Sequence, residues 1–163
     1  MNLVYYPSEI LTTKVKDVDL TNPGFNPREL RAMMVDTMLS NNGIGLSANQ
    51  VNINYQLFVM GADEQSAEIC INPTVLQHTE DTVLEDEGCL SFPGVFVQVK
   101  RPKEVLVEYF DENLEQRRQH LKDYAVKVFL HELDHLNGIC FKDRVSPLKW
   151  KMAVKKASKR NGR

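Results

Sequence analysis

The sequence contains few cysteines and no long apolar run. Cys70, Cys89 and Cys140 are its 3 cysteines, and an odd number does not suit a closed disulfide framework, so free or metal-bound thiols in a reducing compartment are favoured. A run of roughly 20 apolar residues, which a bilayer-crossing helix needs, is absent. The N-terminus also lacks a basic region followed by an apolar stretch. These absences predict a soluble, cytoplasmic protein without a membrane partner.

The glycine patterns of nucleotide-binding proteins are also missing. Segment 43–50 contains Gly43 and Gly45, but a dinucleotide fingerprint needs a third glycine and a preceding strand, and no phosphate loop is present. The two glycines instead let the backbone approach a ligand closely, and the Gln50 amide can donate a hydrogen bond to that ligand. A generic glycine turn is the alternative interpretation.

Basic residues are concentrated at one end of the chain. Of the 20 lysines and arginines, 7 lie in residues 149–163, and all 22 acidic residues lie in residues 1–148. Such a basic segment is either a solvated helix face or a contact for nucleic-acid phosphates. Ser146 and Pro147 can begin a helix there, but its thin and scattered apolar content predicts weak packing.

The first 110 residues contain signals for one helix and four strands. Asn26 and Pro27 predict the start of a helix that continues with apolar helical spacing up to 41–43. Four later runs are typical of β-strands: 55–60, 69–71, 95–99 and 104–110. The last two runs are joined at Arg101 and Pro102, and we expect them to pair as antiparallel neighbours.

His131 and His135 are the ends of an H-E-x-x-H pattern. Residues four apart on a helix share one face, so these two imidazoles can bind one metal ion. Glu132 is close enough to take a proton from metal-bound water without being a ligand, which is the hydrolytic use of this pattern. The segment therefore predicts a metal-dependent hydrolase. Two histidines and a glutamate on a solvated helix are the alternative.

The residues around this pattern favour a buried helix. Asp123 is a candidate N-cap, Gly138 stands where a helix would end, and apolar residues recur between them with helical spacing. Strands that precede one long buried helix are typical of an α+β domain. The sequence thus predicts antiparallel strands packed around a central metal-binding helix.

The third metal ligand is less evident from the sequence. A catalytic metal site commonly has three protein ligands and one open position. The usual downstream histidine is replaced by Phe141, and Asp143 is the only acidic residue after His135, so the ligand comes from upstream or from Cys140. Cys89, in a glycine-containing turn, is the better candidate, because Cys140 resembles the start of a buried strand. A Cys-His-His set suits Fe²⁺, Zn²⁺, Co²⁺ or Ni²⁺.

Three segments, in this order and spacing, resemble the signature motifs of peptide deformylases: 43–50, 87–91 and 131–136. The similarity extends from residues 6–11 through 146–148, so it covers nearly the whole chain. The resemblance implies removal of the N-formyl group from nascent polypeptides that begin with formylmethionine. It also implies a catalytic domain over residues 1–148, followed by a basic C-terminal tail over residues 149–163.

The same resemblance implies roles for individual residues. The metal, typically Fe²⁺ in this family, would be held by three side chains: Cys89, His131 and His135. Glu132 would act as general base and then as general acid. The Gln50 amide and the Leu90 backbone N–H would meet the developing oxyanion.

The resemblance also implies how partners bind. The chain around Ile44 and Gly45 and the segment after Ser91 would pair with the backbone of a formylmethionyl peptide as an added strand. The methionine side chain would enter an apolar pocket walled partly by Ile44 and Val128, although Val128 could equally be plain core, and Phe129 is a weaker candidate. In related bacterial deformylases a C-terminal helix contacts the ribosome, so the basic tail is a candidate for the same contact.

Leu130 and Ser47 depart from the family pattern. Leu130 stands where glutamine is usual, and Ser47 replaces a usual alanine. Neither is a proposed ligand, but Leu130 could alter the outer hydrogen bonds that orient the ligands. Arg101 is expected to pair with Glu87 or Asp134, or to be an ordinary surface arginine.

Two other classes of function remain open at this stage. A metalloprotease would share the metal-binding helix but would normally need a third ligand downstream of it. A catalytically silent binding module would bind metal through the intact motif without turnover.

Overall fold

The structure is a computed structural model that describes residues 1–161, so Arg163 of the basic tail lies outside the described residues. Within them the chain forms, in order, α1 (Pro27–Ser40), β1 (Gly45–Ser47), β2 (Leu57–Met60), β3 (Glu68–His78), β4 (Thr82–Cys89), β5 (Phe92–Pro102), β6 (Glu104–Phe110), β7 (Gln116–Lys122), α2 (Tyr124–Leu136) and α3 (Pro147–Asn161). All strand pairs among these are antiparallel. This confirms the α+β class. No helix in residues 1–161 is long and apolar enough to cross a membrane.

The strands form two sheets. One has the order β1-β2-β3-β6-β7, and β4 and β5 form a separate two-stranded sheet. The predicted pairing of β5 with β6 is therefore wrong. Only Lys103 separates Pro102, the last residue of β5, from Glu104, the first of β6, whereas the common tight hairpins need a two-residue loop. β5 pairs instead with β4 across Leu90 and Ser91.

The five-stranded sheet is packed between α1 and α2. Alternate residues of a strand point to opposite faces. In β2, Leu57 and Val59 pack in one cluster with Met34 of α1, whereas Phe58 packs against Phe129 of α2, with ring centroids 5.1 Å apart. Burial on both faces explains why β2 is a continuous apolar run without alternation.

α1 begins and ends where the sequence predicts. The Asn26 side chain accepts hydrogen bonds from the backbone N–H groups of Arg28 and Glu29, and Pro27 is the first helical residue. The helix ends at Ser40, and Asn42 then adopts a φ of 57°, a left-handed conformation that asparagine tolerates better than most residues. The chain turns there into β1, beside the candidate site.

α2 lies between the five-stranded sheet and the β4–β5 sheet. Asp123 occupies the predicted N-cap position, but its side chain makes no capping hydrogen bond. Gly138, with a φ of 71°, follows the end of the helix, as predicted for a left-handed C-terminal residue. Cys140 is buried but precedes a short 3-10 helix, Phe141–Arg144. The predicted strand at this cysteine is wrong.

α3 packs against β5 more firmly than the sequence predicts. The Trp150 ring contacts Phe92 and Phe141 edge to face, with ring centroids 5.7 Å and 5.4 Å apart, and Ala157 is buried. The expectation of weak packing is wrong for this face, because one large aromatic ring supplies much contact area. The opposite face is exposed, as expected for its cations: Lys151, Lys155, Lys156, Lys159 and Arg160. α3 crosses the expected division between residues 148 and 149, and that division stays a prediction.

Candidate metal centre and active site

Three side chains with metal-binding atoms meet at one point. Cys89 ends β4, and His131 and His135 lie one helical turn apart on α2. Their candidate ligand atoms all lie within 4.8 Å of one another. Nε2 of His135 is 3.1 Å from Sγ of Cys89 and 3.2 Å from Nε2 of His131. One thiol and two imidazoles at this spacing fit a divalent metal ion, with a further position left open.

The register of the β4–β5 sheet is irregular at Cys89. Gly88 pairs with Phe96, but Cys89 pairs with Phe92, so the register shifts between neighbouring residues of β4. A Cβ at position 88 would lie 2.5 Å from Cε1 of Phe96, so a larger residue there would displace the exposed Phe96 ring.

Both histidines are buried, and their environments differ. Burial lowers the pKa of His135 well below its usual value, and the charges of His131 and Arg101 act in the same direction. The imidazole is therefore neutral, which is the form that binds a metal. Nδ1 of His131 lies 2.9 Å from Oε2 of Glu87. This bond leaves Nε2 of His131 facing the other two ligand atoms.

Glu87 belongs to a buried network of charges. The Arg101 guanidinium donates to Glu87 at 2.7 Å and 3.0 Å and to Asp134 at 2.7 Å, and Arg144 also pairs with Asp134. Burial acts to raise the pKa of Glu87, but hydrogen bonds to His131 and Arg101 outweigh it and lower that pKa to about 2. The predicted pairing of Arg101 is confirmed for both carboxylates.

Glu132 is buried against the backbone of β1. A Cβ at Gly45 would lie 2.9 Å from Cδ of Glu132, so only glycine leaves room for this carboxylate. Burial raises the pKa of Glu132 to about 7, while the charge of His131 opposes the rise and that of Glu87 adds to it. Oε2 has no hydrogen-bond partner among the described residues. This oxygen is free to exchange a proton with a bound molecule.

The Gln50 amide faces the thiol of Cys89. Nε2 of Gln50 is 3.5 Å from Sγ of Cys89 and donates to Oγ of Ser91 at 3.1 Å. Oε1 of Gln50 accepts from the backbone N–H of Ser47 at 3.0 Å. Because the amide oxygen is held by a donor, the amide NH₂ must point towards Cys89 and Ser91.

Gln50, Cys89, His131 and Glu132 line one pocket of about 560 Å³. Four of the residues predicted to contact the substrate also line it: Ile44, Gly45, Leu90 and Val128. Phe129 instead packs in the core with Phe58, so its prediction as a pocket wall is wrong. β1 pairs only with β2 and is an edge strand of its sheet. A peptide can therefore be added beside Gly45 by backbone hydrogen bonds.

The chain is similar in sequence to known peptide deformylases. The family model described as polypeptide deformylase matches residues 1–151. A peptide deformylase of Thermotoga maritima is 42% identical over 123 residues, which are 76% of this chain and 74% of that protein. A peptide deformylase of Synechocystis is 36% identical over 161 residues, or 96% of this chain and 85% of that protein.

The chain belongs to the peptide deformylase family. A solved deformylase from Synechococcus elongatus, in complex with actinonin, is 37% identical to it over 97% of this chain and 86% of that one, with a TM-score of 0.87. A second solved deformylase, from Legionella pneumophila, is 30% identical, covers 98% and 94% of the two chains and has a TM-score of 0.88. The chain is thus a deformylase that removes the N-formyl group from nascent polypeptides.

Several features of this deformylase were not predicted from its sequence. The bonds from Glu87 to His131 and from Arg144 to Asp134 are examples. Glu87 lies two residues before Cys89, and alternate strand residues share a face, so this spacing was an available signal. Lys127 also lines the pocket, with its Nζ 4.3 Å from the Tyr124 ring centroid. Tyr124 and Lys127 are three residues apart on α2, so helical spacing was an available signal for that contact.

Leu130, where deformylases usually have glutamine, lies away from the ligand atoms. It packs against the apolar cluster that contains Phe58 and Leu136. The polar support of His131 comes from Glu87. The hydrogen bonds that orient the candidate metal ligands of this deformylase therefore do not need a polar side chain at position 130.

We predict that Arg101→Met destabilises the protein by about 3–5 kcal/mol, because it removes the guanidinium from the buried carboxylate of Glu87 and leaves Asp134 with Arg144 alone. Urea unfolding measures this loss. Metal content should fall in the same variant, since Glu87 orients His131. Lys103→Ala is the matched control, because Lys103 makes an ion pair with Asp81 in which both side chains are more than half exposed. An equal loss in both variants would contradict the role of burial.

Proposed function

We propose that Cys89, His131 and His135 hold one Fe²⁺ ion in this deformylase. The observation that carries the proposal is the meeting of their three ligand atoms at one end of a pocket that Glu132 also lines. A thiolate and two imidazoles suit Fe²⁺ and also Zn²⁺, Ni²⁺ or Co²⁺, and the family resemblance favours iron. When bound, such an ion supplies a Lewis acid that makes water nucleophilic near neutral pH.

Glu132 moves the protons of the reaction in this proposal. Its buried carboxylate lines the pocket beside His131, and its Oε2 is without a partner among residues 1–161. It first accepts a proton from the attacking water and then donates a proton to the departing amine of methionine. The same carboxylate can serve both steps because the formyl carbon lies between water and amine.

Two donors meet the negative charge that develops on the formyl oxygen. The Gln50 NH₂ group points towards Cys89 and is fixed at its opposite end. The backbone N–H of Leu90, the residue after Cys89, is the second proposed donor. Donors that are fixed before the reaction stabilise such a charge without reorganising.

The formylmethionyl peptide lies along the edge of β1. Gly45 and Ile44 line the pocket beside that edge, so the peptide backbone pairs there and with the segment after Ser91. The methionine side chain enters the part walled by Ile44 and Val128. Val128 is 6% exposed, which suits an apolar wall that also belongs to the core.

We also propose that the protein works in the cytoplasm. Burial raises the pKa of Cys70 well above its usual value and that of Cys140 to about 12, so both remain thiols. A reducing compartment suits a chain with three free cysteines.

Cys89→Ala is expected to deplete bound metal, because it removes the only thiol within the cluster of ligand atoms. Elemental analysis of anaerobically purified protein measures the metal. Cys70→Ala and Cys140→Ala are matched controls that remove buried thiols outside this cluster, and both should retain metal. The opposite ranking would show that Cys89 is not the third ligand.

Glu132→Gln is expected to leave metal content nearly unchanged and to slow hydrolysis of formyl-Met-Ala-Ser by about 10²–10⁴-fold, the usual cost of losing a positioned acid or base. Glutamine keeps the size of the side chain but cannot carry the proton. The assay is anaerobic turnover of the iron-loaded protein. Glu115→Gln, an exposed carboxyl in the turn before β7, should retain full activity. A wild-type rate in Glu132→Gln would refute the assignment.

We further propose that the exposed face of α3 contacts ribosomal RNA. Lys151, Lys155 and Lys159 lie on this face, while Trp150 holds the opposite face against Phe92. A row of solvated cations on an otherwise acidic chain suits phosphate contacts. In this proposal, residues 1–148 carry the catalytic site, and the basic tail over residues 149–163 carries the contact with ribosomal RNA.

Lys151→Glu/Lys155→Glu/Lys159→Glu should weaken cosedimentation with ribosomes and reduce its salt dependence, because phosphate contacts release counterions. Turnover of a free formyl-peptide should not change, since these residues lie outside the pocket. Deleting residues 149–163 is a poorer test, because it also removes Trp150 from its aromatic contacts. Unchanged ribosome binding at low salt would rule out this surface.

A further inference from the structure

The hydroxyl of Ser47 lies between two amide side chains of the active site. Ser47 is fully buried. Its Oγ is 2.9 Å from Oε1 of Gln50 and 2.9 Å from Oδ1 of Asn49. A serine hydroxyl has one hydrogen, which here lies between two acceptors. Alanine, the usual residue at this position in the family, has no such group.

Asn49 depends on this hydroxyl. Its Nδ2 donates to the carbonyl oxygen of His135 at 2.6 Å and to that of Ile10 at 3.2 Å. Because the NH₂ group is held by two carbonyls, Oδ1 must face Ser47. Among the described residues the Ser47 hydroxyl is the hydrogen-bond donor to Oδ1. A buried amide oxygen that loses its donor is unfavourable, so Asn49 would hold the His135 carbonyl less firmly.

The Ser47 hydroxyl also supports the side chain of Gln50. Its Oε1 accepts from both the backbone N–H and the hydroxyl of Ser47. Without the hydroxyl, Oε1 keeps only the N–H of Ser47, and the amide is held by that bond and by the bond from Nε2 to Oγ of Ser91, so it tilts more easily. Tilting moves Nε2, which faces Sγ of Cys89 and Oγ of Ser91. The direction of the amide donor is thus set from position 47.

We propose that Ser47 is a positioning residue of this deformylase. Its hydroxyl holds the Gln50 amide towards Cys89 and, through Asn49, holds the last turn of α2 at the carbonyl of His135. The effect on turnover rests on the proposed oxyanion role of Gln50. The effect on the two amides does not depend on that role.

Ser47→Ala should lower kcat/KM on formyl-Met-Ala-Ser by about tenfold through kcat, with KM nearly unchanged, as is typical when outer support of a metal site is lost. In a Gln50→Ala background the same substitution should cost clearly less, because the Gln50 amide is gone and only the support of Asn49 and the His135 carbonyl is lost. Equal losses in both backgrounds overturn the proposal. Unchanged kcat/KM in Ser47→Ala, while Gln50→Ala is impaired, also overturns it.

A second measurement does not use activity. Hydrogen exchange of the side-chain amide protons of Asn49 and Gln50, followed by NMR in the zinc-loaded protein, should become faster in Ser47→Ala. Thr37→Val is the matched control, since it removes a buried hydroxyl that donates to the carbonyl oxygen of Met33 within α1 and accepts from the N-terminal ammonium group of Met1, and it should change neither exchange nor turnover. Ser47→Thr keeps a hydroxyl on the same carbon and should keep exchange slow.

The two proposals fail in different ways. If Gln50→Ala retains wild-type turnover, the oxyanion role of Gln50 is wrong, and amide exchange alone then decides the role of Ser47. If exchange at Asn49 and Gln50 is the same with serine and with alanine at position 47, the positioning role is wrong whatever Gln50 does. Fast exchange in a folded Ser47→Thr protein also contradicts the hydroxyl argument.

Discussion

A buried guanidinium connects the strand and the helix that carry the candidate metal ligands. Arg101 of β5, only 4% exposed, bonds Glu87 on the neighbouring strand and Asp134 on α2. Charges at this depth are tolerated only when each is paired and hydrogen-bonded. Because Glu87 also bonds His131, the position of a metal ligand depends on a balance of charges that spans two sheet strands and a helix. The irregular register at Cys89 and the close approach of Glu132 to Gly45 complete the site.

The part of the site that lies on one continuous segment could be predicted from the sequence. His131, Glu132 and His135 share α2, and the helical period fixes their relative directions wherever the helix packs. The start of α1 at Asn26 and the end of α2 near Gly138 were equally local, since capping and left-handed residues act within one turn. Cys89 could be preferred to Cys140, but the choice became specific only through the resemblance to deformylases.

Interactions between distant segments could not be predicted in the same way. β7 is mostly polar and largely exposed, and the one buried residue of β4 is the acidic Glu87, so neither shows the apolar signal of a strand. The wrong prediction that β5 pairs with β6 has the same origin, because proximity in sequence does not determine which strands are neighbours in a sheet. The hydrogen bond between Glu87 and His131 cannot be predicted unless the β4–β5 sheet is known, because Glu87 lies on β4. The packing of Trp150 likewise depends on aromatic rings from two remote segments.

The three candidate metal ligands belong to two different parts of the fold. Cys89 belongs to the separate β4–β5 sheet, whereas His131 and His135 belong to α2. An ion bound by all three is a reversible crosslink between that sheet and the body of the protein, closing a loop of chain that includes β5, β6 and β7. Binding free energy at such a site is also folding free energy. A metal bound there would therefore fasten the hairpin that forms one wall of the pocket, and chelation would act on the shape of the substrate site as well as on its chemistry.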